Sequence, residues 1–156
     1  MSLPQLAHFR ARLAAFGFSP PALVLVALLV GLIALPLIAR GHFAAAIAAI
    51  VISRAIAVLG RSGAPGLSAK LDPVFLASLP FGFALADPER APVAAFLLFG
   101  FVVATAAARV GIVETLFASA AFVVACIRPE WFSLIAYGLG MACFVLAGLR
   151  LARDQA

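Results

Sequence analysis

From residue 20 onward the chain alternates long apolar blocks with short punctuation made of charges, Pro and Gly. Six blocks stand out, over residues 20 to 39, 42 to 60, 72 to 86, 91 to 108, 110 to 127 and 131 to 149. Helical rise is about 1.5 Å per residue and the hydrocarbon layer about 30 Å thick, so several blocks are only just long enough to cross it. Flanking side chains must then snorkel, or the bilayer must thin. Ahead of the blocks, Leu3, Leu6, Phe9, Leu13 and Phe16 recur at spacings of three and four and share one helical stripe. Gln5 and His8 lie away from its centre and Arg10 and Arg12 at its flanks, the pattern of a helix lying in the membrane interface.

This reading predicts an all-α membrane fold in a single domain. Residues 1–19 form an interfacial amphipathic helix and linker, 20–149 six transmembrane helices, and 150–156 a cytoplasmic tail. The block over 20–39 is longer than a signal-peptide core and lacks a clear small-residue cleavage site, so it is kept as a span. Connections are short, which makes consecutive helices antiparallel neighbours in a compact bundle. The exception is the segment from Gly60 to Lys70, read as the one sizeable cytoplasmic loop.

Composition strengthens the membrane reading. Of 156 residues, 66% are hydrophobic and 11% charged, more apolar surface than a soluble fold of this size can hide. The formal charge of +5 reflects topology rather than nucleic acid, which is not expected as a partner. With the N-terminus inside, Arg10, Arg12, Arg61, Lys70, Arg109, Arg150 and Arg153 face the cytoplasm, against Arg40, Arg90 and Arg128 outside. That asymmetry predicts a multi-pass inner-membrane protein with both termini cytoplasmic. Ala44 to Ala46, Ala104, Ala106 to Ala108, Gly138, Gly140 and Gly148 allow close helix approach, and Pro36 and Pro80 are expected to kink their spans. Cys126 and Cys143 lie in apolar runs, where thiols behave as small hydrophobes.

Few residues are left to carry chemistry. Asp72 is the first carboxylate of the chain, and no Asp or Glu precedes it. Followed by Pro73, it has the form of an N-cap and first-turn pair that starts the third span, as do Asp87-Pro88-Glu89 and Arg128-Pro129-Glu130 at the other side. Arg54 lies inside the second span, where a cation is expensive unless it snorkels, pairs or meets a phosphate. Gly60-Arg61-Ser62-Gly63-Ala64-Pro65-Gly66 reads either as a flexible connection or as a basic, Gly-rich phosphate cradle, with Arg61 and Lys70 as its cations. Glu114, the one acid clearly within a span, is expected to form an interhelical ion pair with Arg54 or else to contact a head group. Thr105, Thr115 and Ser119 are read as bonding to helix backbone, and nothing catalytic attaches to His8 or His42.

The stretch Lys70-Leu71-Asp72-Pro73-Val74 resembles part of the active-site motif of the CDP-alcohol phosphatidyltransferases, D-x2-D-G-x2-A-R-x8-G-x3-D-x3-D. Leu79 to Pro88, Val113-Glu114-Thr115 and Cys126 to Phe132 are similar to later spans of a bacterial branch of that family. The resemblance rests mainly on residues 67 to 149. It implies the family's fold, an interfacial helix followed by six spans, and a site where acids hold Mg²⁺ or Mn²⁺ against a CDP-lipid. Clustered carboxylates suit that work because hard cations take oxygen ligands and neutralise phosphate charge.

Here the pattern is degenerate. An ungapped placement puts Asp72 on the third acid, with Val51, Arg54 and Leu76 on the other three and Ser68 on the second glycine. No gap repairs the first two, because no acid precedes Asp72. The expectation is therefore a homologue without catalysis, binding membrane lipids or associating as a homodimer, or as a heterodimer with a related membrane protein. The alternatives are an active phosphatidyltransferase using Asp72 as a metal ligand in an atypical site and, third, a small transporter.

Overall fold

A computed structural model describes residues 19–107 and 111–154. The predicted interfacial helix over residues 1–18, and Arg109, lie outside the described residues. The rest is helical, with no strand among the described residues. The helices are α1 (Pro20–Leu32), α2 (Ala34–Ala39), α3 (Phe43–Arg61), α4 (Pro65–Ala86), α5 (Ala91–Ala107), α6 (Ile112–Ile127) and α7 (Phe132–Asp154). Short 3-10 turns, Pro88–Arg90 and Pro129–Trp131, lead into α5 and α7.

Among the described residues, five stretches are long and apolar enough to cross a membrane: Pro20–Ala39, Phe43–Arg61, Pro65–Ala86, Pro88–Ala107 and Pro129–Arg153. The sixth apolar helix, Ile112–Ile127, has 16 residues, which span about 24 Å at the helical rise. Many large apolar side chains point outward, among them Leu85, Phe99, Val102 and Leu134. A soluble protein would not expose so much contiguous apolar surface; a bundle in hydrocarbon must.

Local chemistry explains the boundaries. Ser19 accepts from the Ala22 N–H at 3.4 Å, and Pro20 and Pro21 follow in the first turn, where a missing N–H costs nothing. The first span breaks at Ile33, three residues ahead of Pro36, whose ring crowds the carbonyl of the preceding turn. It ends on Gly41 at φ 75°, with His42 N–H bonding to Leu37 O at 2.8 Å and Gly41 N–H to Ile38 O at 2.9 Å. That left-handed closure suits glycine and reverses the chain into α3. At the same end of the bundle, Asp87 accepts from the Glu89 N–H, and Arg90 donates to both Asp87 and the Pro129 carbonyl, tying two connections together.

Two sequence expectations are corrected here. The loop predicted from Gly60 to Lys70 shrinks to Ser62, Gly63 and Ala64, because α3 runs to Arg61 and α4 begins at Pro65. Pro65 does not interrupt a loop; it opens the helix from the first turn. Consequently Asp72 does not start the third span. It sits two turns inside α4, and Pro73 and Pro80 are carried within the same helix.

The core is built around α4. Phe75, Leu79 and Phe83 recur every four residues on one face and are fully buried. The Phe83 ring stacks on Phe132 at 4.3 Å between centroids, with Phe43 at 6.2 Å and Phe122 at 6.5 Å, joining four helices. Small residues allow close approach at Gly100 and Gly140, whereas a Cβ at Gly138 or Gly148 would meet nothing within 4 Å. A Cβ at Gly100 would stand 3.2 Å from the Gly140 Cα across α5 and α7.

Candidate functional site

At the end of the bundle opposite Asp87, α3 finishes, α4 and α6 begin, and α7 reaches its last turns. The antiparallel arrangement gathers there the polar residues that lie far apart in the chain. Asp72 is their centre. Its Oδ1 accepts from Arg54 Nη1 at 2.8 Å, and its Oδ2 accepts from Arg61 Nη1 at 3.1 Å and from Ser68 Oγ at 3.0 Å. Ser68 stands one turn before Asp72, so the helix itself presents the hydroxyl to the carboxylate.

Arg54 is held on every side. Its Nη2 donates to Ser53 Oγ at 3.1 Å, and that hydroxyl donates to the Ala27 carbonyl of α1 at 2.7 Å. Its guanidinium carbon lies 3.8 Å from the centroid of the Phe75 ring, a cation–π contact from one helical turn beyond Asp72. Gly31 of α1 makes room for this packing, since a Cβ there would collide with the Phe75 ring and stand 2.7 Å from Ser53 Oγ. Among the described residues, Nε of Arg54 is the one buried side-chain nitrogen or oxygen without a hydrogen-bond partner. The network thus locks α1, α3 and α4 together, with the Arg54 and Asp72 side chains 9% and 6% exposed.

Desolvating two charges is costly, and the pair is tolerated because both carboxylate oxygens and both terminal guanidinium nitrogens find partners. A third charge completes the set. Arg61, 20% exposed, reaches the carboxylate from the last turn of α3. The cluster carries one more positive than negative charge. Beside it lies a cavity of only about 10 Å³, bordered by Arg54, Arg61, Ser68, Asp72 and Thr115, room for about one water molecule.

Glu114 takes a different partner from the one expected. Arg54 is engaged by Asp72, and Glu114 Oε1 instead accepts from Arg150 Nη2 of α7 at 2.9 Å. This pair lies at the protein edge, with side-chain exposures of 37% and 29%. Nor does Arg54 snorkel; it turns inward because a carboxylate waits there. Lys70 is exposed on α4 and stands outside the cluster. The Gly-rich segment forms no cradle. Gly60 packs against the backbone of Pro20 and Val24, and Gly63 against the Pro20 ring.

Thr105, Thr115 and Ser119 bond to carbonyls of their own helices, as read from the sequence. Cys126 is buried in the core and Cys143 packs against it, both as free thiols. His42 precedes α3 and makes no capping bond with its side chain. Ser53 and Phe75 were not singled out by sequence reasoning. Adjacency to Arg54 marks Ser53, but nothing local marks Phe75, whose role depends on how α3 crosses α4.

Beyond the cluster, an apolar groove of about 250 Å³ runs between α4, α5, α6 and α7, with Glu114 and Arg150 among its lining residues.

No protein-family model matches the chain, and no solved structure matches it significantly. Among curated proteins it is similar to the inner membrane protein YnjF of Escherichia coli (strain K12), at 31% identity over 169 aligned positions that cover 86% of this chain and 82% of that protein. At that identity and coverage, an apolar multi-helix chain throughout, it belongs to the family of the inner membrane protein YnjF.

Proposed function

We propose that the chain is a non-catalytic inner-membrane protein of the CDP-alcohol phosphatidyltransferase type, with six spans and both termini cytoplasmic, that binds lipid or associates with a membrane partner. The name of the YnjF relative supports the inner membrane, and the motif residues around Asp72 support the fold type. The short α6 completes the six spans by local thinning of the bilayer.

One observation carries the loss of catalysis: both carboxylate oxygens of Asp72 are engaged by the protein itself, through Arg54, Arg61 and Ser68. In the ungapped placement Arg54 stands where the motif has its second acid. A guanidinium therefore provides, from within the chain, the positive charge that a metal ion would bring. Such a donor set does not suit Mg²⁺ or Mn²⁺, which needs several oxygen ligands in near-octahedral order. Among the described residues no three His, Cys, Asp or Glu side chains come together. The neighbouring cavity also leaves no space for a pyrophosphate.

The test is direct. Purified protein is incubated with Mg²⁺ or Mn²⁺, CDP-diacylglycerol and a panel of alcohols, and CMP is measured. Release should stay at the level of a protein-free control. Chelator-sensitive release above that level would overturn this reading in favour of phosphatidyl transfer at an atypical site.

A further inference from the structure

The groove between α4, α5, α6 and α7 plays no part in the Asp72 cluster, yet it is the larger cavity of the two, at about 250 Å³. Its floor is made by Leu76, Ala104, Ala118 and Leu139, all buried. Its wall carries Val113 and Phe117, 73% and 67% exposed, so the groove lies at the outer surface of the bundle, where hydrocarbon surrounds the protein. At its polar end stand Glu114, in the first turn of α6, and Arg150, one turn from the end of α7. Both thus stand near the ends of their helices, where a membrane-crossing helix meets the head-group region.

We propose that this groove is a phospholipid site: one acyl chain lies along the apolar floor, and the lipid phosphate binds Arg150, exchanging with Glu114 as its partner. Two observations commit the groove to this occupant. The lining is apolar except at one end, which matches a molecule with one charged end. Arg150 also offers donors to spare. Nη2 bonds to Glu114, and its other guanidinium N–H groups meet no acceptor among the described residues. A phosphate accepts two of them in the planar fork that a guanidinium presents.

Exchange is feasible because the Glu114–Arg150 pair is partly exposed and therefore weakly held. Glu114 then sets the affinity by competing for Arg150. Removing its charge should tighten phosphate binding, an effect opposite in sign to ordinary damage at a binding site.

The full chain, delipidated in detergent, is offered phosphatidylglycerol or diacylglycerol, and retained lipid is counted by native mass spectrometry. Phosphatidylglycerol should be retained and diacylglycerol, which lacks the phosphate, should not. R150Q should weaken retention about tenfold, the value of a charge-assisted hydrogen bond. A142L, which fills the groove from an exposed position, should weaken it likewise, whereas E114Q should strengthen it about threefold. Should R150Q fail to fold, the opposite effects of A142L and E114Q decide. Equal retention by all variants overturns the proposal, as does equal retention of both lipids. A dimer that A142L dissociates, without phosphatidylglycerol retention, would assign the groove to a second copy and also overturn it. The CMP assay and this one report on separate sites, so each can fail alone.

Discussion

The Arg54–Asp72–Arg61 cluster and the Glu114–Arg150 pair stand at the same end of the bundle and use the same chemistry, but they differ in how completely each is enclosed. Asp72 receives three hydrogen bonds, Arg54 is stacked on Phe75, and Nε is the Arg54 nitrogen left without a partner. Glu114 and Arg150 share one bond at the rim of an apolar groove. The first arrangement is enclosed and multiply bonded, so its charges hold the fold together. The second is under-determined, which leaves a cation able to change partner. Ion-pair distance does not distinguish them, since both are 2.8 to 2.9 Å at their shortest; burial and the number of additional partners do.

The comparison breaks or holds on unfolding measurements in detergent. The largest effect should come from D72A, which strands Arg54 in the interior and is expected to destabilise by about 3–5 kcal/mol. Replacing both members together, as R54M/D72L, should recover most of that loss, because the expense is the unpaired buried charge rather than the missing bond. Arg61 can turn to the surface. If the double variant is as unstable as D72A, the cluster is stabilising in its own right and the account of it fails.

Next in size is G31L, which drives a side chain into Phe75 and Ser53 beneath Arg54. Overpacking of this kind should cost about 1–3 kcal/mol and lower the thermal midpoint accordingly. R54K retains the charge but gives up the fork and the stacking, and a loss of about 1–2 kcal/mol is expected in the same assay. The smallest effect belongs to R150Q, under about 1 kcal/mol for a pair this exposed. A loss there as large as that of D72A would erase the distinction between the two regions.

Much of this fold was legible from hydrophobic pattern alone. The apolar blocks predict helices at the positions where helices occur, and Asp87-Pro88 and Arg128-Pro129 mark helix starts because their chemistry is local. The boundary at α4 was misread for an instructive reason. Asp72-Pro73 satisfies the rule for a helix start, and so does Pro65; choosing between them depends on Asp72 facing Arg54 of α3, which no window along α4 contains. The site was legible in part. Asp72, Arg54, Arg61 and Glu114 are conspicuous as charges among apolar residues, whereas Lys70, equally conspicuous, lies on the exposed side of α4.

The sequence by itself determined that a multi-helix bundle would sit in a membrane and that its few internal charges would need partners. Both follow from solvation, which depends on composition and on spacing along one helix. Tertiary structure decided who the partners are. Arg54 and Asp72 are 18 residues apart and Glu114 and Arg150 are 36 apart, and either acid offers Arg54 the same charge. Only the crossing of α3 over α4, with α1 brought close through Gly31, puts Asp72 within 2.8 Å and leaves Glu114 to α7. Hydrogen bonding needs its partners within about 3 Å, so the choice between chemically equivalent partners is made by packing.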